Sequence, residues 1–268
     1  MHIHSQLPIL AWGRNLRRAR SLATELDLPL TTQITPPALR LEVCTEQVQL
    51  AGRLPGERGK NIRPIRSELD QLNASARIRS SREVPLYRAV LGRKKAQGRI
   101  VLDVTGGLGH DAWLLAAVGC SLVVVEQEPV IFALLRDGVA RAGVDAPHIV
   151  PRIRLIQSRA EEVLGQIMSK NTSGMIQIRP HVVYMDPFFY SERKRKGASK
   201  RSMQVLRHVA KKHDPEADQA VLDLALQAVL DRVVLKRPRL SSPLVSRHGR
   251  VMFSIQGRGH RFDVYQRL

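Results

Sequence analysis

The stretch IVLDVTGGLGHD, residues 100–111, decides the fold of this chain. An apolar run ends at Asp103 and is followed by Gly106, Gly107 and Gly109, after which the sequence turns apolar again. Glycine lets a backbone turn tightly and lets a ligand approach it closely. A helix that begins after such a turn offers free N–H groups and positive potential to an anionic group. The stretch therefore predicts a buried strand, a cofactor-binding turn and a helix.

The alternation of strand and helix continues to the end of the sequence. The predicted strands are 100–104, 121–126, 152–157, 181–186 and 232–236, and the predicted helices are 109–118, 129–142, 159–169 and 215–230. Residues 250–256 and 261–266 predict a terminal hairpin. Strands joined by helices form a parallel sheet with right-handed crossovers. We therefore predict an α/β fold with a mostly parallel, seven-stranded, Rossmann-like sheet and a terminal antiparallel hairpin, the combination that separates class I methyltransferases from dinucleotide-binding domains.

The predicted sheet occupies a domain of residues 83–268, entered by a helix within 83–97. Residues 1–82 are predicted to form a small, basic α+β region. Its helix is expected from Asn15 to Leu26, and residues 39–50 alternate as a strand or short hairpin does. Residues 52–82, rich in arginine, predict loops.

The charge of the chain indicates a polyanionic partner. Lysine and arginine exceed the acids so far that the net charge is +19. Such an excess destabilises a compact fold through self-repulsion, and nucleic acid binding explains it. Residues 193–212 contain nine basic residues and no acid. The alternative for this run is a solvated helix face.

Several classes of protein and site are not expected. The two cysteines, Cys44 and Cys120, form no CxxC pair, so neither a disulfide framework nor a metal site is predicted. No apolar run reaches the length of about 18 residues that a membrane span needs. The N-terminus lacks the apolar segment of a secretory signal, so a cytoplasmic location is expected.

A second acid strengthens the cofactor prediction. Glu126 ends the second predicted strand, where a carboxylate can accept hydrogen bonds from both hydroxyls of a ribose. Asp103 or Asp111 can bind an ammonium group directly or through water. At this point the residues fit either S-adenosylmethionine (SAM) or a nicotinamide dinucleotide.

A later motif favours SAM. Asp186, Pro187, Phe188, Phe189 and Tyr190 directly follow an apolar strand, where amino-methyltransferases carry D/N-P-P-Y/F. The aspartate, with the proline carbonyl, can accept hydrogen bonds from an exocyclic amine, and an aromatic ring can stack on an extruded base. The alternative is a proline turn with apolar packing. The predicted catalytic residues are Asp186, Pro187, Phe188 and Phe189.

These motifs resemble one family. The stretches LDVTGGLGHDAWLLAAVGC (102–120), VVEQEPVIFALLRDGVARA (124–142), VVYMDPFFY (182–190), VVLKRPRLSSPL (233–244) and GRGHRFDVY (257–265) resemble the 16S rRNA (guanine(1516)-N(2))-methyltransferases, the RsmJ type. The resemblance implies transfer of a methyl group from SAM to the exocyclic nitrogen of a guanine in the small ribosomal subunit.

The resemblance also implies site residues. It adds SAM contacts at His110, Asp111, Glu126, Gln127, Ser158, Arg159, Ala160 and Asp186 to those expected at Asp103, Gly106, Gly107 and Gly109. Basic residues after the catalytic motif and in the KRP element are expected to contact RNA: Arg193, Lys194, Arg195, Lys196, Lys200, Arg201, Lys236 and Arg237.

Other functions remain open from the sequence. A methyltransferase of another RNA site or of DNA amines would use the same chemistry. An NAD-dependent oxidoreductase would not depend on Asp186. A non-enzymatic RNA-binding assembly factor would bind RNA without SAM. The oligomeric state is not predicted.

Overall fold

The computed structural model describes residues 7–33, 38–54, 61–69, 84–169, 179–187, 198–210, 215–257 and 259–268. The predicted site residues Phe188, Phe189 and Arg193 to Lys196 lie outside these ranges, and so do the side chains of Lys200 and Arg201.

A seven-stranded sheet forms the centre of the molecule, as predicted. Its strands are β5 (Ile100–Asp103), β6 (Ser121–Glu126), β7 (Ile153–Gln157), β8 (Val182–Met185), β9 (Arg232–Pro238), β10 (Gly249–Gln256) and β11 (His260–Arg267). The order across the sheet is β10-β11-β9-β8-β5-β6-β7. Strands β5 to β9 pair in parallel, and β11 pairs antiparallel with both β9 and β10. This is the class I methyltransferase fold with its terminal hairpin.

Helices cover both faces of this sheet. One face packs against α2 (Pro85–Leu91), α3 (His110–Ala117) and α4 (Pro129–Asp145), and the other against α5 (Ala160–Met168) and α7 (Pro215–Ala228). The sequence predicted a longer helix within 83–97. The helix ends at Leu91 because Gly92 takes a positive φ of 60° and its N–H closes the last turn on the carbonyl of Arg88.

The N-terminal region carries a second, four-stranded sheet. Its elements are β1 (Ile9–Leu10), α1 (Leu16–Leu26), β2 (Leu30–Thr31), β3 (Arg40–Val43) and β4 (Val48–Ala51), and the strand order is β2-β1-β3-β4. The predicted helix is confirmed, and of the two structures expected for residues 39–50, a strand or a short hairpin, the hairpin of β3 with β4 is present. The two-residue strands β1 and β2 were not predicted.

The basic run after the catalytic motif contains a helix, α6 (Ala198–Val209), which the sequence had offered only as an alternative. Its apolar side chains Val205, Leu206 and Val209 are buried. They share one apolar cluster with Ile131 and Leu134 of α4 and with the N-terminal region. The N-terminal region therefore packs against the main domain through both α4 and α6.

Candidate active site

Four strand ends meet at the carboxyl edge of the parallel sheet. Asp103 ends β5, Glu126 ends β6, Asp186 follows β8, and Lys236 lies near the end of β9. Open α/β sheets bind their ligands beyond this edge. The sheet order therefore brings together acids that lie far apart in the sequence.

The glycine turn packs tightly on one side and is open on the other. A Cβ atom at Gly106 would lie 2.7 Å from Cγ1 of Val124, and one at Gly109 would collide with the side chain of Leu135. Gly107 has a φ of +54°, and a Cβ atom there would meet only the carbonyl oxygen of Thr105, at 3.8 Å. The turn is therefore held against β6 and α4, while space for a ligand remains at Gly107.

Backbone N–H groups hold Glu126. Its Oε2 accepts a hydrogen bond from the N–H of Gly107 at 2.8 Å, and its Oε1 accepts one from the N–H of Glu128 at 2.8 Å. Only 6% of the residue is exposed, and burial raises the pKa of the carboxyl to about 7. The carboxylate of Glu126 is therefore fixed to the backbone of Gly107, the glycine with open space beside it.

Asp103 holds the turn through hydrogen bonds to Thr105. Its Oδ1 accepts hydrogen bonds from the N–H and the hydroxyl of Thr105, at 3.0 and 3.3 Å. The same hydroxyl oxygen accepts a hydrogen bond from the N–H of Asp186 at 2.7 Å. Burial raises the pKa of Asp103 to about 7. Thr105 thus fixes the start of the predicted catalytic motif to the cofactor turn.

A lysine joins the two acids at the edge of the site. Nζ of Lys236 donates to Oδ2 of Asp111 at 2.9 Å and to Oδ2 of Asp186 at 2.7 Å, and the hydroxyl of Tyr184 donates to Oδ2 of Asp111 at 2.6 Å. Burial opposes the charge of Asp111, but the ammonium group of Lys236 keeps its pKa below the usual value. Burial raises the pKa of Asp186 to about 6, because Lys236 only partly offsets it.

The remaining predicted contacts follow β6, β7 and β8 or lie at the starts of α3 and α5. His110 and Gln127 are exposed beside the two acids that they adjoin. Ser158 follows β7, and its N–H donates to the carbonyl oxygen of Glu126 at 3.3 Å. Arg159 is exposed at the start of α5 beside Glu161, Ala160 is its first residue, and Pro187 is buried.

The structure describes the side chains of two predicted RNA contacts, Lys236 and Arg237, and of these two Lys236 lies near the acids of the site. The structure places Lys236 between Asp111 and Asp186, whereas Arg237 donates to the carbonyl oxygen of Ser242 at 2.7 Å.

Among the described residues, no group of histidine, cysteine and acidic side chains could hold a metal ion. In the same part of the chain, no helix has the length and apolar character that a membrane crossing requires.

Sequence reasoning missed Thr105 and Tyr184. Tyr184 carried a usable signal, because residues two apart in a strand share a face and Tyr184 lies two positions before Asp186. Thr105 carried no such sequence signal, since its contact with Asp186 depends on the adjacency of β5 and β8. Near Tyr184, the ring of His260 packs edge-on against Phe262, with 5.0 Å between the ring centres.

Comparison with known proteins agrees with this geometry. A family described as "Putative SAM-dependent methyltransferase" matches residues 24–267. "Ribosomal RNA small subunit methyltransferase J" of Thioalkalivibrio sulfidiphilus is 35% identical over 251 residues, which are 92% of each chain. The protein of the same name from Nitrosococcus oceani is 36% identical over 255 residues, 93% of this chain and 94% of that one.

A crystal structure of a SAM-dependent methyltransferase from Neisseria gonorrhoeae has the same fold. It covers 97% of this chain and 96% of its own, with a TM-score of 0.62 and 26% sequence identity. The sheet and the acid-lined glycine turn define a class I SAM-dependent methyltransferase. More narrowly, the chain belongs to the family that includes ribosomal RNA small subunit methyltransferase J. The predicted cofactor and enzyme class are confirmed, and the NAD-dependent alternative is set aside.

Proposed function

We propose that the protein transfers a methyl group from SAM to the exocyclic N2 of a guanine in 16S rRNA of the small ribosomal subunit. The observation that carries this proposal is the position of Asp186, which precedes Pro187 and whose backbone N–H is bonded to the hydroxyl of Thr105 in the cofactor turn. The names of the relatives and the charge of +19 support an RNA substrate.

The residues at the turn fit SAM. We assign the ribose hydroxyls to Glu126, whose carboxylate accepts a hydrogen bond from the N–H of Gly107, the glycine with open space beside it. The ammonium group of the methionine part is assigned to Asp111. Ser158 lies beside Glu126, so residues 158–160 are assigned to the base of the cofactor. When bound, SAM supplies an electrophilic methyl group on a sulfonium.

Catalysis in this site is mostly positioning. The carboxylate of Asp186 and the carbonyl of Pro187 accept hydrogen bonds from the guanine amine and so aim its lone pair at the methyl carbon. The new N–C bond forms as the S–C bond breaks. The amine loses its extra proton after transfer, so a strong base is unnecessary.

The basic residues after the motif are assigned to phosphate binding. Contacts to phosphate position a nucleic acid without reading its sequence. Phe188 or Phe189 is assigned to stacking on the extruded guanine. The proposed phosphate contacts are Arg193, Lys194, Arg195, Lys196, Lys200, Arg201 and Arg237.

The test is methyl incorporation from tritiated SAM into 30S subunits, naked 16S rRNA and double-stranded DNA, followed by nucleoside analysis. We expect N2-methylguanosine from ribosomal RNA alone. Methylated adenine or cytosine would show that the enzyme acts on a different amine. SAM binding or RNA binding without incorporation into any of the three would point to an assembly factor and overturn the proposal.

A further inference from the structure

Lys236 occupies the centre of a bridge between three elements. It comes from β9, Asp111 comes from the first turn of α3, and Asp186 follows β8. Its ammonium group lies within hydrogen-bond distance of both carboxylates, at 2.9 and 2.7 Å. About a fifth of the lysine side chain, 21%, is exposed. A cation in this position is poorly placed to bind phosphate, because its charge is already shared by two acids.

The donors of the bridge engage the same oxygen, Oδ2, on each carboxylate. On Asp111, Lys236 and the hydroxyl of Tyr184 both donate to Oδ2. On Asp186, the lysine engages Oδ2, while the backbone N–H of the same residue donates to Thr105. Because the lysine engages Oδ2, the role of acceptor for a substrate amine falls to the other oxygen of Asp186. The lysine therefore fixes how the carboxylate is oriented, and does not touch the reacting atoms itself.

The charge of the cluster also depends on the lysine. Asp111 and Asp186 contribute two negative charges and Lys236 one positive charge, which leaves one negative charge for a cationic cofactor. Without the lysine, two neighbouring carboxylates would repel each other, and one of them would take up a proton near neutral pH. Among the described residues, the other titratable groups that interact with the charges of the bridge include Tyr87, Asp103, His110, Tyr184 and His260.

We propose that Lys236 is a positioning residue of methyl transfer: it holds Asp186 ionised and oriented toward the amine, and it fixes Asp186 relative to Asp111 at the cofactor turn. This proposal rests on the proposed function of the site. It replaces the prediction that Lys236 binds RNA.

The test compares Lys236→Met and Lys236→Arg with the wild type and with Lys95→Met, which removes an exposed lysine outside the site. The single-turnover rate on 30S subunits is measured from pH 5 to 9 at saturating SAM and RNA. An opposite charge within about 4–6 Å lowers a carboxyl pKa by about 1–3 units. Lys236→Met should therefore move the acid limb of the rate profile upward by at least about 1 pH unit. Lys236→Arg should restore most of that shift, and Lys95→Met should cause none.

A lower rate with an unmoved acid limb in folded Lys236→Met would overturn the proposal, because a merely structural lysine acts in that way. Weaker RNA binding with an unchanged limb would return Lys236 to phosphate binding. Should the wild type fail to methylate RNA, the proposed function fails by itself. The inference is then tested by carboxyl 13C NMR titration of the free protein, in which the Asp186 signal, assigned with Asp186→Asn, must titrate at higher pH in Lys236→Met.

Discussion

Glu126 and Asp186 lie at the same sheet edge, at the ends of the two strands that flank β5, but different kinds of donor hold them. Glu126 receives two backbone N–H groups, from Gly107 and Glu128. The carboxylate of Asp186 receives the ammonium group of a side chain, Lys236. A carboxylate held by backbone is fixed wherever the turn folds, whereas one held by a side chain can be reoriented by a single substitution. The end of the site assigned to the nucleoside is therefore built into the fold, and the reacting end is adjustable.

The largest effect is expected at the reacting end. Asp186→Ala removes the acceptor for the amine and should lower the single-turnover methylation rate by on the order of 100-fold, since loss of a positioning contact has effects of that size. SAM affinity, measured by calorimetry, should change far less. A near-normal rate in the folded variant would show that Asp186 does not orient the amine.

At the nucleoside end, the expected loss is in binding. Glu126→Ala removes a buried, charge-assisted hydrogen-bond partner, which costs about 1.5–3 kcal/mol. SAM affinity should fall by about one to two decades, while the rate at saturating SAM stays within a few-fold of the wild type. Calorimetry measures the SAM affinity of the variant, and an unchanged affinity would show that Glu126 does not bind the cofactor.

The pH dependence of SAM binding sharpens the same contrast. Burial raises the pKa of Glu126 to about 7, and ribose hydroxyls need the ionised form as acceptor. Affinity should therefore be highest above pH 7 and fall by up to about tenfold for each pH unit below it. Glu126→Gln should flatten the profile. Asp103 titrates in the same range, so Asp103→Asn measures its own share of the dependence, and Glu126→Gln should flatten the profile more than Asp103→Asn does.

The change expected to affect the cofactor site least separates RNA binding from cofactor binding. Replacing Arg193, Lys194, Arg195 and Lys196 by glutamine should flatten the dependence of RNA affinity on salt, by about 0.7–0.9 log units per log unit of salt for each lost contact. Filter binding at several salt concentrations measures the slope. SAM affinity should stay constant, and an unchanged slope would identify these residues as a solvated surface.

The sheet and the acids at its edge could be predicted because both depend on local sequence. The inner parallel strands β5, β6 and β8 are buried on both faces, so each appears as an apolar run, and an acid at or just after its end marks the carboxyl edge. Asp103, Glu126 and Asp186 all stand at such a boundary. Strands β1 and β2 have two residues each, too few for an alternation to show. Helix α6 lies within the basic run, and the cations in and around it obscure the apolar residues Val205, Leu206 and Val209 that it buries.

The place of Lys236 could not be predicted in the same way. The stretch KRPR contains three cations, a composition typical of nucleic-acid binding, and the sequence therefore predicted RNA contacts at Lys236 and Arg237. The lysine reaches Asp186 because β9 pairs in parallel with β8, with Leu235 opposite Met185. That adjacency is a property of the whole sheet. A residue whose role depends on the order of strands has no local signal.

The packing of α6 on the N-terminal region has a practical consequence for anyone who shortens this protein. Residues 188–197 connect Pro187, held at the sheet edge, to a helix whose buried side chains share a cluster with Leu22 and Leu41. A truncated protein that begins at residue 83 would lose the partner surface of that helix and of α4. Its freshly uncovered apolar residues would favour aggregation. We therefore expect the methyltransferase domain to need the N-terminal region for stability, and residues 1–82 should be kept when the protein is shortened.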